Sequence, residues 1–118
     1  MAEFPKVGGP SMWGTIQTVH QFGPDACAVS TAGHGGFWVS PEGMERIPEN
    51  ARRTGYSRDG WFEEDCDWCI PYLVLGLHAY ESEPHRVEMM QAEAKRFLYR
   101  CHPNLAVMVL AAAQTVTA

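Results

Sequence analysis

The chain has 118 residues with 46% hydrophobic and 19% charged side chains, a balance that supports one buried core and excludes wholesale disorder. No run of about eighteen apolar residues occurs, and the opening Met-Ala-Glu-Phe-Pro-Lys lacks the basic-then-apolar pattern of a secretory leader, so neither a membrane span nor export is expected. The formal net charge is −5 and the basic residues are scattered, with Arg46, Arg52, Arg53 and Arg58 the densest group, too weak a positive footprint for direct nucleic-acid binding.

Residues 1–12 contain Pro5, Gly8, Gly9 and Pro10 and read as a flexible N-terminal arm; residues 13–118 read as a single α+β domain. Residues 13–22 are β-prone and partly alternating, with Ile16, Thr18, His20 and Phe22 on one face, which predicts a strand. Gly23-Pro24-Asp25 is a turn, 26–31 a second strand, 32–36 a second turn and 37–39 a third strand. Short strands joined by short turns predict a three-stranded antiparallel meander. Ser40-Pro41-Glu42 reads as a helix start, since serine caps well and proline in the first turn loses no needed N–H. Residues 48–59 are rich in turn formers and read as a loop.

Along 61–77, Phe62, Cys66, Cys69, Ile70, Leu73 and Leu77 recur at spacings of three and four, predicting a helix that Pro71 kinks or splits. Residues 83–101 form the longest predicted helix, with Val87, Met90, Ala94, Phe97, Leu98 and Cys101 as its apolar stripe and Pro103 ending it. Residues 105–118 carry no charge, and their periodicity does not distinguish helix from strand. The fold class that follows is α+β: a three-stranded antiparallel meander packed against two or three helices, the cysteine-bearing stripes facing one side of the sheet.

Two segments stand out chemically. In STAGHGGF (30–37), glycines surround His34. Such a backbone approaches a neighbour or a ligand closely, although the plainer reading is a tight turn that needs positive φ, with His34, Gly35 and Gly36 as a structural loop. In DGWFEEDCDWC (59–69), five acids fall within nine residues. A helix N-terminus explains two or three of them through its dipole. The excess suits a basic partner surface, with Glu63, Glu64, Asp67 and Trp68 as the partner-binding candidates. Successive helical residues are about 100° apart, so four such acids cannot all face solvent. Asp65 or Glu63 is expected to point inward and tie the helix start to the glycine loop or to Arg52, Arg53 or Arg58, leaving Glu64 and Asp67 outside.

Cys27, Cys66, Cys69 and Cys101 are read as reduced, since nothing suggests export. Cys66 and Cys69 have C-x-x-C spacing. A zinc site there would need two more ligands, with Cys101 and His102, or His34, the economical choices, but both cysteines also fit the apolar stripe. No metal and no cofactor are expected.

STAGHGGF, followed by WVSPE (38–42) and GWFEEDCDW (60–68), resembles a family of small uncharacterised bacterial proteins carried by phages and plasmids, which shows an STA-x-HGGF loop and a GGWYEEDCEWA-type acidic helix start. The resemblance covers about residues 13–104. It implies a mobile-element origin and action inside the host cytoplasm, and it brings no activity. Cys69 stands where that family has alanine, which weakens any zinc or redox role for the C-x-x-C pair.

Three functions follow as expectations. The first is a non-enzymatic protein-binding factor that inhibits a host defence complex such as CRISPR through that complex's basic surface. The second is a small enzyme or ligand-binding domain in which a carboxylate from 63–67 orients His34 as a general base. The third is a metal-stabilised adaptor using Cys66, Cys69 and Cys101. No direct nucleic-acid or membrane contact is expected of any of them.

Overall fold

The computed structural model describes residues 3–117. Its sheet has four antiparallel strands in the order β1-β2-β3-β4: β1 Thr18–Gln21, β2 Ala26–Ser30, β3 Gly35–Val39 and β4 Trp61–Glu63. The α+β class and the meander are as the sequence predicts, with one strand more. That strand comes from the start of the expected 61–77 helix. Gly60, at φ +90°, swings the chain so that Val39 N–H donates to Gly60 O at 2.9 Å, and pairing then continues as Trp38↔Trp61 and Phe37↔Phe62.

Strand alternation sorts the side chains into two cores. Ala26, Phe37, Val39 and Phe62 face the helices. Cys27, Val29 and Trp38 face the other way and are buried by Ile16, 1% exposed, together with Phe4 and Trp61. Phe4 meets the Trp38 ring edge-on at 5.0 Å and Trp13 meets Trp61 at 5.4 Å. Gly8 N–H donates to Ile16 O at 2.8 Å and Ile16 N–H to Gly9 O at 2.9 Å, so the described part of the N-terminal segment folds back over this face. The sheet is therefore covered on both sides, where the sequence reading covered one.

Helix α1, Pro41–Met44, starts as expected, with Ser40 Oγ accepting from Gly43 N at 3.1 Å. Residues 48–60 run through two 3-10 turns, Glu49–Arg52 and Ser57–Asp59. Helix α2 is only Cys69–Val74. Pro71 is its third residue, where the missing N–H has no intrahelical acceptor to lose, so the proline opens a short helix rather than kinking a long one. Helix α3, Pro84–Cys101, has Pro84 at its first position and buries Ala94 and Leu98. The uncharged tail is helix α4, Ala106–Thr117, with Ala106 and Val109 buried. Both α3 and α4 pack chiefly on α2. The expected seat of the 83–101 stripe on the sheet is thus corrected: α2 and Trp68 lie between, with Trp68 5.4 Å from Phe97 and Tyr72 6.3 Å from Phe37.

Candidate functional site

The glycine loop and the acidic segment, thirty residues apart, form one structural unit. Thr31 closes the β2–β3 turn, its Oγ1 donating to His34 O at 2.8 Å while His34 N–H donates back to that oxygen at 3.2 Å. Glu64 N–H donates to Gly35 O at 2.9 Å. A Cβ on Gly36 would lie 2.1 Å from Phe62 O and 2.9 Å from Glu63 Cα; one on Gly35 would lie 2.7 Å from Val29 O and 3.3 Å from Glu64 Oε2. These two glycines are required by close approach, not by the positive φ that the sequence suggests, since neither adopts it. His34 is exposed at the turn, and no carboxylate lies within ion-pair distance of it among the described residues. The expected pairing of His34 with an acid of 63–67 is not formed.

The acids separate into three roles. Glu63 folds back as a cap, its carboxylate accepting from Asp65 N at 3.1 Å and Cys66 N at 2.7 Å. Glu64 and Asp65 are exposed, and their carboxylates have no partner among the described residues. Asp67 is the inward acid: its side chain is 7% exposed and Oδ1 lies 3.0 Å from Nε2 of His102, itself 13% exposed. The expectation of an inward Asp65 and an outward Asp67 is therefore corrected, and the tie runs to His102 rather than to the glycine loop or an arginine. Residues 61–63 are a strand and 64–68 a turn, so helical angles counted from Phe62 do not apply. Trp68, expected at the partner surface, is instead buried at 8%, 5.6 Å from the Tyr72 ring.

Burial raises the Asp67 carboxyl above 3.8, and the Glu63 charge adds to this, while His102 opposes it. The Thr54 hydroxyl adjoins the carboxylate without forming a hydrogen bond of regular geometry. Gly55 packs on the other side; a Cβ there would lie 2.9 Å from Asp67 Oδ2.

Cys66 and Cys101 are joined in a disulfide with Cα atoms 5.7 Å apart, well inside the bridging range. This corrects the reduced reading for that pair. His102 Nε2 also lies 3.2 Å from Cys66 O, and the Cys69 thiol donates to the same carbonyl at 3.3 Å. Burial, then the Asp67 charge, pushes the Cys69 thiol up to about 12; burial pushes buried Cys27 up to about 11. Of the four candidate zinc ligands, Cys66 and Cys101 are bonded to each other, Cys69 donates to the Cys66 carbonyl and His102 holds Asp67. Among the described residues no three His, Cys, Asp or Glu side chains are grouped to hold a metal ion.

A groove of about 750 Å³ opens elsewhere, between β3, α1 and the 48–60 loop, lined by Trp38, Met44, Arg52, Arg53, Arg58 and Gly60 among others. The sequence signal for it was the arginine density at 46–58, which reads as a partner for acids rather than as a wall around Trp38. Residues 6–114 match the protein family described as Domain of unknown function (DUF7007). No curated protein and no solved structure matches the chain.

Proposed function

We propose, starting from the fact that the chain belongs to the DUF7007 family and that this membership brings no activity with it, a non-enzymatic protein-binding role. The partner is a host protein or defence complex with a basic surface, CRISPR effectors being the type case. The gene is carried on a phage or plasmid, and the protein acts in the bacterial cytoplasm. One observation carries this reading: His34, Glu64 and Asp65 all belong to the junction of the β2–β3 turn with the end of β4, exposed and unpaired among the described residues, on a backbone that is held fixed. The Glu63 cap, the Gly35–Glu64 hydrogen bond and the Asp67–His102 contact hold that backbone before any partner arrives, which lowers the ordering cost of binding. Two free carboxylates side by side suit a surface that otherwise receives phosphates.

A reducing cytoplasm keeps thiols reduced. There the Asp67–His102 contact would tie the end of α3 to the acidic turn without help from the bridge. The test is affinity capture from a bacterial host lysate with the wild type and with a Glu64→Lys/Asp65→Lys double variant. Proteins captured by the wild type should be lost from the variant, the more so at low salt. If the variant retains every one of them, the acidic face is not the contact and the reading fails.

A further inference from the structure

We propose that the groove between β3, α1 and the 48–60 loop is a binding site for a small organic anion that carries a flat ring. Its volume of about 750 Å³ falls in the range of ligand pockets, about 300–1,000 Å³. The groove is built by local structure rather than left by poor packing. A Cβ at Gly60 would lie 2.6 Å from Val39 O, so only glycine brings the loop this close to β3, and the indole edge of Trp38 lies alongside at ordinary contact distance, 3.5 Å from that Cβ position to Nε1. Trp38, Val39 and Met44 supply apolar lining, while the indole N–H has no acceptor among the described residues. An N–H without an acceptor, at the indole edge that adjoins Gly60, is a ready donor for a ring nitrogen or carbonyl of a ligand.

The charges around it are already sorted. Arg53 is neutralised by Glu49 at 2.8 Å. Arg52 donates from Nε to Ile47 O at 2.6 Å and from Nη2 to Glu45 O at 3.4 Å, both backbone carbonyls, so its guanidinium is held in place with no ion pair and no partner for Nη1 among the described residues. Arg58 is exposed and makes no ion pair among the described residues. Oriented guanidinium forks match carboxylate and phosphate and also stack on rings. Three of the nine cationic side chains line this one groove and are matched there by Glu45, Glu49 and Asp59, so its lining is formally neutral in a chain of net charge −5. Glu45 and Asp59 also line it, and they accept from N–H or O–H groups of the ligand while disfavouring a bare anion. A nucleoside monophosphate has all these parts; an aromatic acylamino acid supplies a carboxylate with the same ring-plus-anion chemistry.

The full chain, labelled with nitrogen-15, has four indole N–H resonances, one for each tryptophan. These are titrated with adenosine monophosphate, with adenosine and with hippurate. Saturable movement of the Trp38 resonance by adenosine monophosphate, with binding by adenosine at least about tenfold weaker, is expected, and it assigns the anion as phosphate. Saturation by hippurate alone supports the site with carboxylate as the anion. Arg58→Gln, on an exposed side chain, should weaken the binding anion about tenfold without moving the melting temperature. The proposal is overturned if no probe saturates the Trp38 resonance, if adenosine and its monophosphate bind equally, or if Arg58→Gln binds like the wild type. The Glu64→Lys/Asp65→Lys variant should bind the same probe normally, so the groove and the acidic face stand or fall separately.

Discussion

Replacing Asp67 by asparagine tests the electrostatics of the junction most directly. The carboxylate and His102 Nε2 are 3.0 Å apart with side chains 7% and 13% exposed, so neither is well solvated. Burial raises the carboxyl pKa above 3.8 in the folded chain. The folded state therefore holds a proton that the unfolded state releases, and stability from this group is full below 3.8 and lost as pH rises through the raised folded value. Asparagine has nearly the same shape as the protonated acid and no such titration. Thermal unfolding followed by circular dichroism at closely spaced pH values should give a wild-type profile that falls relative to Asp67→Asn above 3.8. Asp67→Ala leaves a cavity and removes the side-chain hydrogen-bond partner of His102, which together cost roughly 3 kcal/mol. At about 2.1 cal/mol/K of unfolding entropy per residue, a chain of 118 residues loses about 4 °C per kcal/mol, so the alanine variant should melt about 12 °C lower. Parallel pH profiles for wild type and Asp67→Asn would refute the assignment of a raised carboxyl at 67.

Three further outcomes follow from the same geometry. Cys101→Ser removes a cross-link spanning 35 residues, and loop entropy puts the loss at about 4 kcal/mol; differential scanning calorimetry of the variant and of dithiothreitol-reduced wild type should give coinciding transitions. Gly36→Ala places a methyl 2.1 Å from Phe62 O, a backbone atom that can move only by breaking the β3–β4 pairing, so it should cost about 2 kcal/mol or more and expose the amides of β4 to hydrogen exchange; an unchanged exchange rate would contradict this. The buried thiols of Cys27 and Cys69, pushed up to about 11 and about 12, should resist iodoacetamide at mildly alkaline pH in the native chain and react once it is unfolded, as mass spectrometry will read; rapid native labelling of either would place it at the surface.

What the sequence made legible was whatever one local rule settled. Ser40 and Pro41 fix the start of α1, proline and a three-four stripe fix α3, and the Gly23-Pro24-Asp25 turn sets off β2; the expected 32–36 turn ends two residues early, because Gly35 and Gly36 already pair with Ser30 and Val29 as the start of β3. Strand β4 was hidden because three residues carry no period, and because Phe62 and Cys66 fit a helical stripe whichever structure they adopt. The length of α2 depended on Pro71 being read as first-turn rather than interior, which only the position of the preceding turn decides. The tail was undecided because a segment apolar on every side has no face; its helix rests on α2, which is short and itself buried. No spacing rule joins Cys66 to Cys101 or Asp67 to His102 across thirty-five residues, since both contacts follow from the way α3 returns along α2.

The exchange of roles between Asp65 and Asp67 shows how the fold partitions a run of acids that composition treats as uniform. The turn after β4 is fixed first by sheet pairing, which sets Glu64 beside Gly35, and then by the Glu63 carboxylate, which satisfies two N–H groups of the same turn. With the turn fixed, Asp67 has one direction available, inward against Gly55, and a buried carboxylate there persists only with a partner. His102 is that partner because Pro103, one residue on, cannot continue α3 and leaves the histidine at the helix end beside Cys66. Asp67, His102, Cys66 and Cys101 thus lock the position of the turn, while Glu64 and Asp65 gain a fixed backbone and no internal contact. Charge changes at the outer pair can therefore alter what the surface meets without loosening the core, and changes at the inner set act on stability first.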